Sequence, residues 1–188
     1  YKTISQLSRL IVPFHRMELD FKESLENIEL IYHGEQKLNE NLKLKKYGIS
    51  DGFYAGNNRL NPGSGYLDFH LDNLVIVSSR GVLAYSGNFE KELFFKQIKN
   101  NIHKFINVEH YKKDRLFSLE DLTIYNNNIY ISYSEEIKKD CWNTSVIYSE
   151  MNYENIEFKK LFSAEECIHS SNNIDQEFTA SQAGGRIV

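Results

Sequence analysis

The sequence predicts an all-β protein, on three observations: many aromatic residues beside few prolines, short runs in which apolar and polar residues alternate, and Asn-rich turn signals between those runs. The 12 tyrosines and 12 phenylalanines, against 2 prolines in 188 residues, suit pleated, half-buried surfaces more than linkers. With 41% hydrophobic residues the chain can bury a core, and its length fits one domain or one domain with an appendage.

Residues 1–47 differ in pattern from the rest. Ile4, Leu7, Leu10 and Ile11 recur at helical spacing, as do Phe21, Leu25 and Ile28, which predicts two short amphipathic helices separated near Pro13. Their polar faces are mixed in charge, which favours packing on a core over a membrane-surface role. The run GNNRLNPGSG at 56–65 is dense in turn-tolerant residues. It divides an N-terminal helical or mixed appendage, residues 1–61, from a β part, residues 65–188.

In the β part, residues 66–71 alternate, Asp72-Asn73 signals a turn, 74–77 is a short buried run, and Arg80-Gly81 precedes a strand at 82–85. Residues 93–106 admit two readings. Phe94, Ile98, Ile102 and Phe105 fit a helix, whereas Asn100-Asn101 would split the stretch into an outer strand and a loop. A second unit follows: a strand at 117–125, a turn at Asn126-Asn127-Asn128, strict alternation at 129–134, and strands at 142–151 and 156–162. Two four-stranded antiparallel meanders in succession predict neighbouring blades of a β-propeller, because each blade needs a neighbour to bury its sheet face. Residues 185–188 open a further strand. Two blades do not close a ring, so the expectation is a propeller fragment of a longer protein.

Composition narrows the partners. A formal net charge of -4, with basic and acidic residues interleaved, argues against nucleic acid, which calls for a clustered basic surface. No apolar run approaches the roughly 20 residues that cross a bilayer as a helix, so no membrane span is expected in this segment. The chain opens on Tyr1 instead of Met, which is compatible with a leader or anchor upstream.

Few residues form a chemical motif. His15, His33, His70, His103, His110 and His169 are scattered, with no HExxH or His/Cys cluster to mark a metal site. Cys141 and Cys167 lack CxxC spacing and flank a hairpin-like stretch; a disulfide and two buried thiols are both open. A meander between them would return the chain to one edge of the blade and bring the two sulfurs together. Asn143-Thr144-Ser145 fits a glycosylation acceptor at a strand start. Phosphate-cradling, dinucleotide-binding and nucleophile-elbow motifs are absent from the sequence.

The run LFSLEDL at 116–122, followed by IYISYS at 129–134 and QAGGRIV at 182–188, resembles the soluble quinoprotein glucose and sorbosone dehydrogenase family over roughly residues 65–188. The resemblance implies a six-bladed propeller, export from the cytoplasm, and pyrroloquinoline quinone (PQQ) with calcium at the channel mouth, where sugars are oxidised. It also implies roles. The family's histidine base, four residues before the signature arginine, falls on Gln182, and Arg186 is that arginine. A family glutamine that touches the cofactor falls on Leu116, and family glycines fall on Ser118 and Asp121.

An amide has no useful basicity near neutral pH, so Gln182 and Arg186 read as ligand-binding residues and no catalytic residue is assigned. Two functions follow. One is a non-catalytic propeller that binds a glycan, sugar or protein; the other is a PQQ-dependent sugar or alcohol dehydrogenase. Both place the protein outside the cytoplasm.

Overall fold

Alternation becomes strand wherever one face finds a core, and the computed structural model describes residues 27–49, 65–78, 81–87, 94–106, 119–169, 172 and 187. The first sheet contains β1 (Asn27–Lys37), β2 (Lys43–Ile49), β3 (Gly65–His70), β4 (Asn73–Ser78), β5 (Leu83–Ser86) and β6 (Phe94–Gln97). Its order is β2-β1-β6-β5-β4-β3, antiparallel throughout. β3 to β6 form the predicted meander, and the β1–β2 hairpin extends it beyond β6.

The second sheet is a meander of β8 (Leu119–Tyr125), β9 (Asn128–Lys138), β10 (Cys141–Glu150) and β12 (Lys159–Ser163), with β13 (Ile168–His169) paired to the start of β10. Residues 119–163 thus bear out the four-stranded meander expected of this stretch. A short parallel pair, β7 (Lys99–Asn100) with β11 (Asn155–Ile156), ties the two sheets together.

Turn chemistry fixes the hairpins. Asn126 and Asn127 both take positive φ, 46° and 61°, as the two central residues of a mirror-image hairpin turn must, and asparagine tolerates that region. The matching turn of the first sheet has Leu71 at φ 54°, where a leucine is strained.

The sheets stack through one core. Val75, Val77 and Leu83 of the first sheet meet Leu122, Ile129, Ile131, Tyr133 and Ile147 of the second. β4 is buried on both faces, since Leu74 and Ile76 join Val82, Ala84 and Phe95 in a smaller core against Tyr47. That explains its continuous apolar run. Fully burying one such side chain contributes about 1.5–3 kcal/mol, and truncating Ile131 to Ala would cost about 2–5 kcal/mol.

The innermost strands β3 and β8 lie side by side. Asp68 Oδ2 accepts the Ile124 N–H at 2.7 Å. The same device recurs one step along the chain: Asp121 Oδ2 accepts the Ile187 N–H at 2.7 Å, and Thr123 Oγ1 donates to the Ile187 carbonyl at 3.3 Å. Successive meanders stacked face to face, first strand beside first strand, are the arrangement of a partial β-propeller.

Two details differ from the sequence reading, and one choice it left open is decided. Ile28, assigned to a helix, lies in β1, and residues 43–47 lie in β2, because pairing with β6 and between the two strands supplies partners that periodicity does not reveal. Residues 94–106 follow the strand-and-loop reading, with β6, β7 and a 3₁₀ turn at Ile102–Lys104. The expected strand at 156–162 divides at Phe158, which is buried and bracketed by the Asn101 side chain: Phe158 N–H donates to Asn101 Oδ1 at 2.8 Å and Asn101 Nδ2 donates to the Phe158 carbonyl at 3.2 Å. The helices expected before residue 27, the division at 61–65 and the strand expected at 185–188 lie outside the described residues, except Gly65, which opens β3, and Ile187.

Candidate functional site

At the end of the sheets where the β3–β4 and β8–β9 turns lie, five polar side chains form one hydrogen-bond chain across the junction. Glu150 can only accept as a carboxylate, so Asn127 Nδ2 donates to it at 3.3 Å. That turns Asn127 Oδ1 to His70 Nε2, 2.9 Å away, and assigns the ring proton to Nε2. His70 Nδ1 then accepts from the Tyr153 hydroxyl at 2.6 Å, whose oxygen takes a further bond from Asn73 Nδ2 at 2.7 Å. Burial raises the Tyr153 phenol above its ordinary value, a rise opposed by the bond from Asn73 and reinforced by Tyr85. Tyr85 also packs on the Tyr153 ring at 4.4 Å between centroids. Every polar atom of His70 is engaged, so the cluster pins one sheet to the other and leaves no spare base.

A second cluster sits toward the opposite end, where β9 and β10 approach their turn. Glu135 Oε2 accepts from Ser145 Oγ at 2.5 Å and from Ser163 Oγ at 2.7 Å, while Lys160 pairs with Oε1. Burial by itself would raise the Glu135 pKa, but the bonds from Lys160, Ser145 and Ser163 outweigh it and hold the carboxyl below its ordinary 4.5. Tyr133 beside it is pushed well above the usual phenol range, by burial first and by the Glu135 charge second. A serine donating to a carboxylate resembles an activated nucleophile, yet Ser145 has no exposed surface and a substrate cannot reach it.

Of the sequence-assigned residues, Cys141 and Cys167 form a disulfide with Cα atoms 5.3 Å apart, closing the question the sequence left open. It clasps β13 to β10 and, in the chain-entropy model, a loop of this size is worth roughly 3 kcal/mol. The Asn143 side-chain nitrogen donates to the Glu166 carbonyl at 2.6 Å, and Ser145 of the same tripeptide is buried, so the acceptor reading finds that amide already committed. Gln182, Arg186, Leu116, His15 and His110 lie outside the described residues. Among the described residues no group of three or more His, Cys, Asp or Glu side chains comes together as metal ligands would, and no helix is long and apolar enough to cross a membrane.

The solved structures similar to this chain include two that are both named glucose dehydrogenase. One is described as the crystal structure of glucose dehydrogenase, with 15% identity, a TM-score of 0.42, and 58% of this chain aligned to 33% of that one. The other, described as glucose dehydrogenase, shows 16% identity, a TM-score of 0.42, and 57% of this chain aligned to 34% of it. The chain therefore spans about a third of the length of either protein. No protein-family model matches the chain, and no curated protein sequence matches it.

Sequence reasoning missed His70, Tyr153, Asn73, Asn127 and Glu150 as a unit. Their partners stand 83 and 57 residues apart, and the only local signal was an Asn-rich turn, read for its backbone.

Proposed function

We infer that this chain contributes blades to an exported β-propeller related to quinone-dependent sugar dehydrogenases, over residues 65–188, with residues 1–61 as an added N-terminal part. In this reading the protein binds a glycan or a protein and does not oxidise a sugar. The observation that carries it is Gln182 at the position where the family it resembles has its histidine base. General-base assistance contributes about 10²–10⁴ in rate, and an amide supplies none. His70 offers no substitute, since both its ring nitrogens are engaged by Tyr153 and Asn127.

The residues at the family positions do not fit PQQ either. Leu116 has no polar side-chain atom where the family has a glutamine, and Ser118 and Asp121 replace glycines. The Gln182 amide and the Arg186 guanidinium retain the donors and acceptor needed to hold hydroxyls or carboxylates. The disulfide agrees with an oxidising compartment.

A dye-reduction assay of the purified protein with PQQ, calcium and a panel of aldoses tests the reading, run beside Gln182→His. The expected result is no turnover by the unmodified protein. Robust quinone-dependent turnover without the substitution would overturn the reading, and turnover in the variant alone would support a dehydrogenase site that has lost its base.

A further inference from the structure

Among the described residues, 27–29 of β1 pair with β6, and from Leu30 onward β1 pairs with β2. The hairpin therefore leaves the sheet as a two-stranded ribbon, exposed along nearly all of residues 31–46. Its turn is held by Asn39 Oδ1, which accepts from the N–H groups of Asn41 and Leu42. At Gly34, φ 114°, a bulge shifts the register, and a Cβ at Gly48 would collide with the ring of His33.

Register sorts the side chains beyond the bulge. Lys37 opposes Lys43 and Glu35 opposes Lys45, placing these on one face with the Tyr32–Tyr47 pair, while Gln36 opposes Leu44 on the other. Alternation carries Leu38 and Leu42 onto the second face, with Ile31 farther back. These four apolar side chains are 49% (Ile31), 57% (Leu38), 57% (Leu42) and 42% (Leu44) exposed. The ribbon thus has a charged face and a largely apolar face that also carries Gln36 and, opposite Gly34, Lys46; both lie in solvent, and β2 ends the sheet order among the described residues.

We propose that the edge of β2 that no described strand pairs is a docking strand for an extended partner segment that alternates acidic and apolar residues. A strand added there sets every second side chain beside Lys43 and Lys45 and the intervening ones beside Leu42 and Leu44, so carboxylates and aliphatic groups satisfy both faces at once. Charge complementarity selects this occupant: residues 31–48 hold four lysines and two glutamates in a chain of net charge -4, so that even with Lys43 paired to Glu35 at 2.9 Å the ribbon keeps a surplus of positive charge. A second copy pairing β2 to β2 would bring lysine against lysine, the usual guard against edge-to-edge association. A bilayer would meet the polar turn Asn39-Glu40-Asn41 first. The surface is independent of the sugar-related reading above.

The test uses the full chain and a labelled short peptide alternating Val and Glu, read by fluorescence anisotropy and by amide hydrogen exchange in β2. Binding is expected, with slowed exchange in β2 and affinity about tenfold weaker in Lys43→Glu/Lys45→Glu. These residues are exposed, and an unchanged melting curve verifies that the variant folds. No binding, equal binding of a Val/Lys peptide, or ribbon-dependent capture on phosphatidylserine vesicles without peptide binding would each overturn the proposal.

Discussion

Leu71 occupies a position whose backbone asks for a different residue. It sits at φ 54° and is 81% exposed, so its side chain strains the turn and gains nothing from burial. The equivalent turn of the second sheet uses asparagine. Leu71→Asn is expected to stabilise the protein by about 1 kcal/mol, since the left-handed region costs an ordinary residue roughly that much, and a higher urea midpoint with an unchanged slope would verify it. The sequence around it was legible as a turn because Asp72-Asn73 announce one, but the strain was not, since which residue takes positive φ depends on the pairing of His70 with Asn73.

At the scale of the element, β9 and β10 carry an acid-sensitive fastening. Glu135 titrates below its ordinary value in the folded protein, so the folded state holds the ionised carboxylate more tightly than the unfolded chain does. The stability this supplies is present above the unfolded carboxyl value near 4.5 and is lost as pH falls through the lower, folded value. Stability should therefore decline on the acid side of pH 4.5, and Glu135→Gln should show less of that decline while being less stable at neutral pH. Thermal melts of both proteins from neutral to acid pH measure this; parallel curves would contradict it.

The same two strands were among the best read from sequence, because Ile129, Ile131 and Tyr133 all turn one way into the shared core and strict alternation records that. β1 and β2 were not. Their ribbon lies largely in solvent, where no core imposes a period of two, and Ile28 fell into register with Phe21 and Leu25 as helical spacing instead. The candidate site was hidden for a related reason: its members come from both sheets, and no local spacing encodes a contact made across a junction.

For the whole molecule, what matters is how one sheet is set against the next. Asp68 reaches from β3 to the Ile124 N–H of β8 at a part-buried position. Asp68→Ala would leave that N–H unpaired, at a cost of about 1–3 kcal/mol, and should reduce hydrogen-exchange protection at Ile124 more than at Ile147. Equal loss at both amides would show that the bond has no local role.

In both contacts the aspartate stands earlier in the chain than the amide it accepts from, so β8 takes its height along the axis from β3, and Ile187 takes its height from β8. The molecule behaves in this respect like a screw thread. A one-residue slip of β3 would move Asp68 off Ile124 and invert the faces of β3. Because β8 is seated by that contact, and Ile187 in turn by Asp121 and Thr123, the error would be handed on from turn to turn. Insertions should accordingly be tolerated in the loops between sheets and refused within the innermost strands.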